Sequence, residues 1–101
     1  MKRGRPVFSQ VRQNMVELLA VAGPMYGYEL SKKYLDIFPQ VSRRLFYYHL
    51  KKGLELGEFE IDEVRKEEGD YSWGSVAEKT YYRLGPNAQP QGDKRVKSYF
   101  S

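Results

Sequence analysis

Ser42-Arg43-Arg44-Leu45-Phe46-Tyr47-Tyr48-His49-Leu50-Lys51-Lys52-Gly53-Leu54-Glu55-Leu56-Gly57 is the stretch that decides how this chain of 101 residues is read. Ser42 suits an N-cap, because its hydroxyl can accept from an orphan amide of the first turn, and Gly57 suits the left-handed residue just past a helix end. A helix over 42–56 follows. At about 100° per residue, Leu45, Phe46, His49, Leu50, Gly53 and Leu56 gather in one arc. Arg44, Tyr48, Lys51, Lys52 and Glu55 lie opposite, flanked by Tyr47 and, on the first turn, Arg43.

Upstream, Ser9 precedes Val11, Met15, Leu18, Leu19 and Ala22 at amphipathic spacing, which predicts a first helix that Gly23-Pro24 stops. Tyr26, Leu30, Tyr34, Ile37 and Phe38 share one stripe, while Glu29, Lys32, Lys33 and Asp36 fall elsewhere; a second helix is predicted from about Tyr26 to Phe38, ended by Pro39. Only Pro39-Gln40-Val41 separates it from the third, and helices joined so tightly read as a helix-turn-helix.

Downstream of Gly57 the period changes to two. Phe59 and Ile61 alternate with acids, a loop rich in Glu, Gly, Asp and Ser follows, and Thr80-Tyr81-Tyr82-Arg83-Leu84 reads as the return strand of a long-looped hairpin. Parity puts Thr80, Tyr82 and Leu84 on a face that can close over the helices, with Lys79, Tyr81 and Arg83 on the other. Gly85-Pro86 ends the strand, 87–92 reads as a loose polar linker, and Asp93 is suited to cap a short helix carrying Val96, Tyr99 and Phe100. The chain thus divides into a basic arm over 1–8, a domain over 9–85 and a tail over 86–101. The expected fold class is α+β, mostly helical: a winged helix-turn-helix of three helices plus a two-stranded β-wing.

A chain of this length builds one modest core, which excludes an enzyme with separate cofactor and substrate domains. Cysteine is absent and His49 is the only histidine, so disulfides, thiolate catalysis and cysteine-ligated zinc are excluded and no metal or cofactor is expected. No Gly-rich phosphate loop or nucleophile–base pair is found, so no catalytic residues are assigned and the chain does not read as an enzyme. His49 falls on the buried arc, which predicts a packed, hydrogen-bonded side chain rather than a ligand. No apolar run approaches membrane-spanning length and nothing resembles a signal peptide, so a cytoplasmic location is expected.

Net charge is +4 and is unevenly spread: +7 over residues 1–54, −6 over 55–70 and +3 over 71–101. That separation suggests one face for a polyanion and another for something else, although a solvated mixed surface gives the same counts. A helix that enters the major groove of DNA needs an apolar back fixing it to a domain and a front of cationic and aromatic groups near its N-terminus. The third helix has both. An ordinary surface helix shows the same split, and the adjoining turn and hairpin are what favour DNA.

Tyr26-Gly27-Tyr28-Glu29-Leu30, then Ser42 followed by Leu45-Phe46-Tyr47 and Leu50-Lys51-Lys52, then Gly57, and Lys79-Thr80-Tyr81-Tyr82-Arg83-Leu84 resemble the motifs of PadR-type winged-helix transcriptional regulators over about residues 11 to 85. The resemblance implies a three-helix domain with a two-stranded wing, a homodimer, and repression by operator binding. Three features depart from it. Gly53 stands where the family usually has a core leucine, implying either close backbone packing or a rotated helix end. The long carboxy-terminal dimerisation helix is missing or reduced to Asp93–Phe100. The wing loop carries Glu67, Glu68 and Asp70, which phosphates would repel.

The expected DNA contacts are Arg43, Arg44, Tyr47, Tyr48 and Lys51 in the major groove, with Lys79 and Arg83 holding phosphates from the wing stem, where Arg65 and Lys66 are also available. Arg3-Gly4-Arg5-Pro6 is similar to an AT-hook core, whose two arginines lie along a narrow minor groove; a nonspecific basic tail is the equal alternative. Tyr71 and Trp73 are expected to pack back on the strands. A homodimer would set two third helices about 34 Å apart on double-stranded DNA, with Val16, Ala20, Val96, Tyr99 and Phe100 as candidate contacts. Two rivals remain: a winged-helix protein-interaction module whose acidic segment Glu55–Asp70 and loop aromatics dock a basic partner, and a nonspecific chromatin-like DNA-binding protein.

Overall fold

The computed structural model describes the backbone of residues 9–71 and 74–101 and the side chains of 9–66 and 78–101. The elements run α1 (Gln10–Ala22), β1 (Met25–Tyr26), α2 (Gly27–Ile37), α3 (Arg43–Leu56), β2 (Phe59–Tyr71), β3 (Gly74–Leu84) and α4 (Lys94–Phe100). They form a small α+β domain, mostly helical, with a three-stranded antiparallel sheet in the order β1-β3-β2.

The caps fall where the residue types place them. Ser9 Oγ accepts from the Arg12 amide at 3.2 Å and Ser42 Oγ from the Leu45 amide at 3.1 Å. Gly57 takes φ +77°, and the amide after it, that of Glu58, donates back to the Gly53 carbonyl at 2.9 Å, so the last turn of α3 is closed by the chain leaving it.

α1 is the central helix, in contact with α2, α3, β3 and α4. Being surrounded, it has no broad solvent face: Val16, expected at a dimer contact, is 1 % exposed. α2 adds Leu30, Tyr34 and Phe38, with the Tyr34 hydroxyl accepting from Asn14 at 3.1 Å so that no polar atom of that ring is stranded in the core. α3 contributes Phe46 and Leu50. Leu45 does not join them and is 43 % exposed, because it lies about 100° around the helix from Phe46 and the buried arc is narrower than the sequence pattern suggested.

Gly53 is where α3 meets the sheet. The Phe59 ring, 1 % exposed, lies so close to the Gly53 backbone that a Cβ would overlap it. Of the two implications of a glycine here, close backbone packing is the one realised.

The sheet has one strand more than expected. Met25 and Tyr26, immediately after Gly23-Pro24, pair with Tyr82 and Tyr81 and turn the hairpin into three strands; two residues are too few to show a period in sequence. The long loop is also corrected, since β2 and β3 stay paired from Phe59↔Leu84 to Tyr71↔Gly74, with irregularities at Asp62 and between Glu68 and Tyr71. Backbone pairing continues past the point where side-chain alternation stops, so the Glu- and Lys-rich segment is strand despite its composition. Met25, Phe59, Tyr82 and Leu84 face the helices as parity requires. Farther along the hairpin, Ile61 and Val64 are each 50 % exposed.

The tail is built into the domain. The Glu17 carboxylate, 2 % exposed, accepts from the amides of Gln91 at 2.6 Å, Gly92 at 2.9 Å and Asp93 at 3.1 Å, and Gln13 reaches the Gln89 carbonyl at 2.9 Å. The segment read as a loose linker is therefore tied down. Asp93 caps α4 through the Arg95 and Val96 amides, and Val96 is fully buried, so it belongs to the core rather than to a dimer contact; Ala20 and Tyr99 remain at the surface. No helix among the described residues is long and apolar enough to cross a membrane.

Candidate nucleic-acid interface

α3 turns one side outward. Arg43, Arg44 and Lys51 are exposed and take part in no ion pair among the described residues, whereas Lys52 reaches Glu55 at 3.9 Å. Tyr48 is 57 % exposed and stands edge-on to His49 with ring centroids 5.0 Å apart. Tyr47, 39 % exposed, packs edge-on against buried Phe46 at 5.3 Å and lies over Gly27, where an added Cβ would be 3.4 Å from its Cε1. The structure thus brings five of the expected residues, Arg43, Arg44, Tyr47, Tyr48 and Lys51, onto one surface. Phe46, Leu50 and the Gly53–Phe59 contact fix that surface to the core behind it.

The residues expected on the stem of a wing sit differently. Arg83 is held by Glu60, at 3.0 Å from Nη2, and by Asp62, at 3.1 Å from Nη1, so its positive charge is matched on its own strand pair. Arg65 bridges to Glu63 at 2.6 Å and lies 4.4 Å from the centroid of the Tyr81 ring. Lys79 lies 4.7 Å from the centroid of Tyr26. Pairing registers place Arg65, Lys79, Tyr81 and Arg83 together on the face of the sheet that points away from the helices. Arg3, Arg5 and Trp73 lie outside the described residues, as do the side chains of Glu67, Glu68, Asp70 and Tyr71.

No family model, curated protein or solved structure matches the chain.

Three features escaped the sequence reading. One is the set of rings on the outer sheet face: Tyr26 pairs with Tyr81 only through β1, and the two-residue strand that joins them carries no periodic signal. A second is the partly buried ion pair between Arg12 Nε and Glu58 Oε1, 2.9 Å apart, linking α1 to the start of β2 across 46 residues. The third concerns His49. Expected to be packed and hydrogen-bonded, it is half-buried, and its Nδ1 is buried with no hydrogen-bond partner among the described residues. Burial, and then the positive charge of Arg12, hold its pKa below the ordinary imidazole value, so the neutral ring is favoured.

Proposed function

We propose that this chain is a winged-helix, double-stranded-DNA-binding transcriptional regulator that lays α3 in the major groove and acts as a repressor in a homodimer. The observation that carries the reading is the outer side of α3: three cations outside any described ion pair and two partly exposed tyrosines, on a helix whose back is anchored by Phe46, Leu50 and Gly53. Guanidinium and ammonium groups projecting from the first three turns suit base edges and phosphates alike, and aromatic rings beside them suit sugars and thymine methyls. β2 and β3 form the wing in this reading, with β1 extending its base. The resemblance of the Tyr26–Leu30, Ser42–Lys52 and Lys79–Leu84 motifs to PadR-type regulators points the same way. Among the described side chains of the acidic segment, Glu58, Glu60, Asp62 and Glu63 pair with Arg12, Arg83 and Arg65 within the chain and are not left over for a basic partner.

Selection of bound sequences from a random duplex pool tests the proposal. The intact chain should enrich a palindrome-like site, and Arg44→Gln and Lys51→Gln should each relax the preference at particular positions, by about 1–3 kcal/mol of discrimination where a bidentate base contact is lost. Binding that never separates an enriched site from random duplex would sink the regulator reading in favour of a nonspecific DNA-binding protein.

A further inference from the structure

β2 stands at the edge of the sheet: the order β1-β3-β2 gives it β3 on one side and no strand among the described residues on the other. A long unpaired edge is a template for a further strand unless its side chains forbid it. Beyond the irregularity at Asp62, β2 reads Glu63-Val64-Arg65 and pairs regularly, these residues meeting Tyr81, Thr80 and Lys79 in turn. All three are exposed.

A strand that pairs with its own copy obeys a parity rule. In an antiparallel ladder two opposed residues both turn their amide and carbonyl towards the other strand or both turn them away, so a two-fold axis passes through a residue and not between two. Centred on Val64, the ladder sets valine against valine on one face and, on the other, Glu63 of each copy against Arg65 of its partner. Within one chain Glu63 and Arg65 are already bridged at 2.6 Å, so the four charges of the pair alternate around a closed ring. Centring one residue earlier opposes Glu63 to itself, and one later opposes Arg65 to itself; like charges directly opposite are unfavourable. The edge therefore suits a second copy of this chain, in one register.

We propose that two copies join edge to edge along β2, antiparallel about Val64, as the contact of the homodimer in the reading above, on which this inference rests. From Val64 to Phe59 the ladder spans four steps of β3, Thr80 to Leu84, so the two Phe59 rings, each against Gly53 of its own α3, are set about 27 Å apart at roughly 3.4 Å per step. Arg43, at the far end of α3, is displaced from Gly53 by about 15 Å along the helix. The two contact surfaces thus fall on the scale of the about 34 Å that separates successive major grooves on one face of a duplex. Pairing uses both β2 edges and leaves the two-residue β1 at each end of a six-stranded sheet, so the assembly closes at two copies.

Sedimentation equilibrium without DNA tests the contact. The intact chain should dimerise with a Kd of about 10–100 µM, because a short ladder buries less than a standard interface. Glu63→Arg sets arginine against arginine at both opposed pairs, and Arg65→Glu sets carboxylate against carboxylate. With urea midpoints shown to lie close to that of the intact chain, each variant alone should self-associate at least about ten-fold more weakly. Mixed one to one, the two variants restore every opposed pair while the bridge inside each chain stays broken, and they should associate about as tightly as the intact chain. That mixture separates contact between copies from the bridge within one. The proposal is overturned if the intact chain is monomeric at about 1 mM, if either variant dimerises like the intact chain, or if the mixture stays monomeric. Random-duplex selection fails separately: no site preference beside a restored mixed dimer overturns the reading of α3 and leaves the β2 contact standing.

Discussion

Glu17→Gln is the substitution that most directly tests how the tail is held. The two oxygens of the carboxylate divide the donors between them: Oε1 accepts from the Gly92 and Asp93 amides, and Oε2 from the Gln91 amide and the Gln13 side chain. Glutamine has the same shape but keeps only one acceptor oxygen. Its NH2 group must face two donors, so two hydrogen bonds are lost whichever way the amide is turned. Bonds to a charged acceptor contribute about 1.5–3 kcal/mol each, and the two that survive become neutral ones of about 0.5–1.5 kcal/mol. The two lost bonds alone set an expected destabilisation of about 3–6 kcal/mol, a large part of the 5–15 kcal/mol typical of a domain. Urea unfolding gives the magnitude, and amide hydrogen exchange at residues 91–93 gives the location. A loss under about 1 kcal/mol with unchanged protection of those three amides would refute the reasoning.

Gly53→Ala should destabilise by about 1–3 kcal/mol in urea although alanine is the better helix former by about 1 kcal/mol, because the new methyl group overlaps the Phe59 ring; adding Phe59→Leu should recover part of that loss if the overlap is its cause. The His49 pKa is depressed in the folded chain, so the unfolded chain binds the proton more readily and stability should fall as pH drops below the ordinary value of 6.5. His49→Gln should flatten that part of a thermal-unfolding series against pH. Burial raises the Glu17 pKa, but the Gln91, Gln13, Asp93 and Gly92 hydrogen bonds outweigh it and leave the value lowered; a second loss of stability should therefore begin as pH drops below about 4.5. It should disappear in Glu17→Gln.

The helices were legible because local signals and global packing agree there. Ser9, Ser42, Asp93, Gly23 and Gly57 each mark an end by the chemistry of a single residue, and the stripes on α1 and α2 point at the core they join. What escaped depends on contacts between residues far apart in sequence. β1 exists only because β3 pairs with it, the extended hairpin only because backbone ladders outlast side-chain alternation, and the docked tail only because Glu17 finds amides more than 70 residues away. Glu17 is the instructive case, since an acid in an amphipathic helix reads as a solvent-facing residue until its partners are known. For the interface, the wheel placed Arg43, Arg44, Tyr47, Tyr48 and Lys51 on one side of α3. It could not foresee that Arg83 would find Glu60 and Asp62 on the neighbouring strand.

The contact between Gly53 and Phe59 has a mechanical consequence. With no side chain between helix and ring, and with the Gly85 amide bonded to the Glu58 carbonyl and the Asn87 side chain to the Leu56 carbonyl, the root of the hairpin is clamped directly to the end of α3. A tilt imposed on α3 therefore carries the root of the hairpin, from Glu58 and Phe59 to Gly85, along with it.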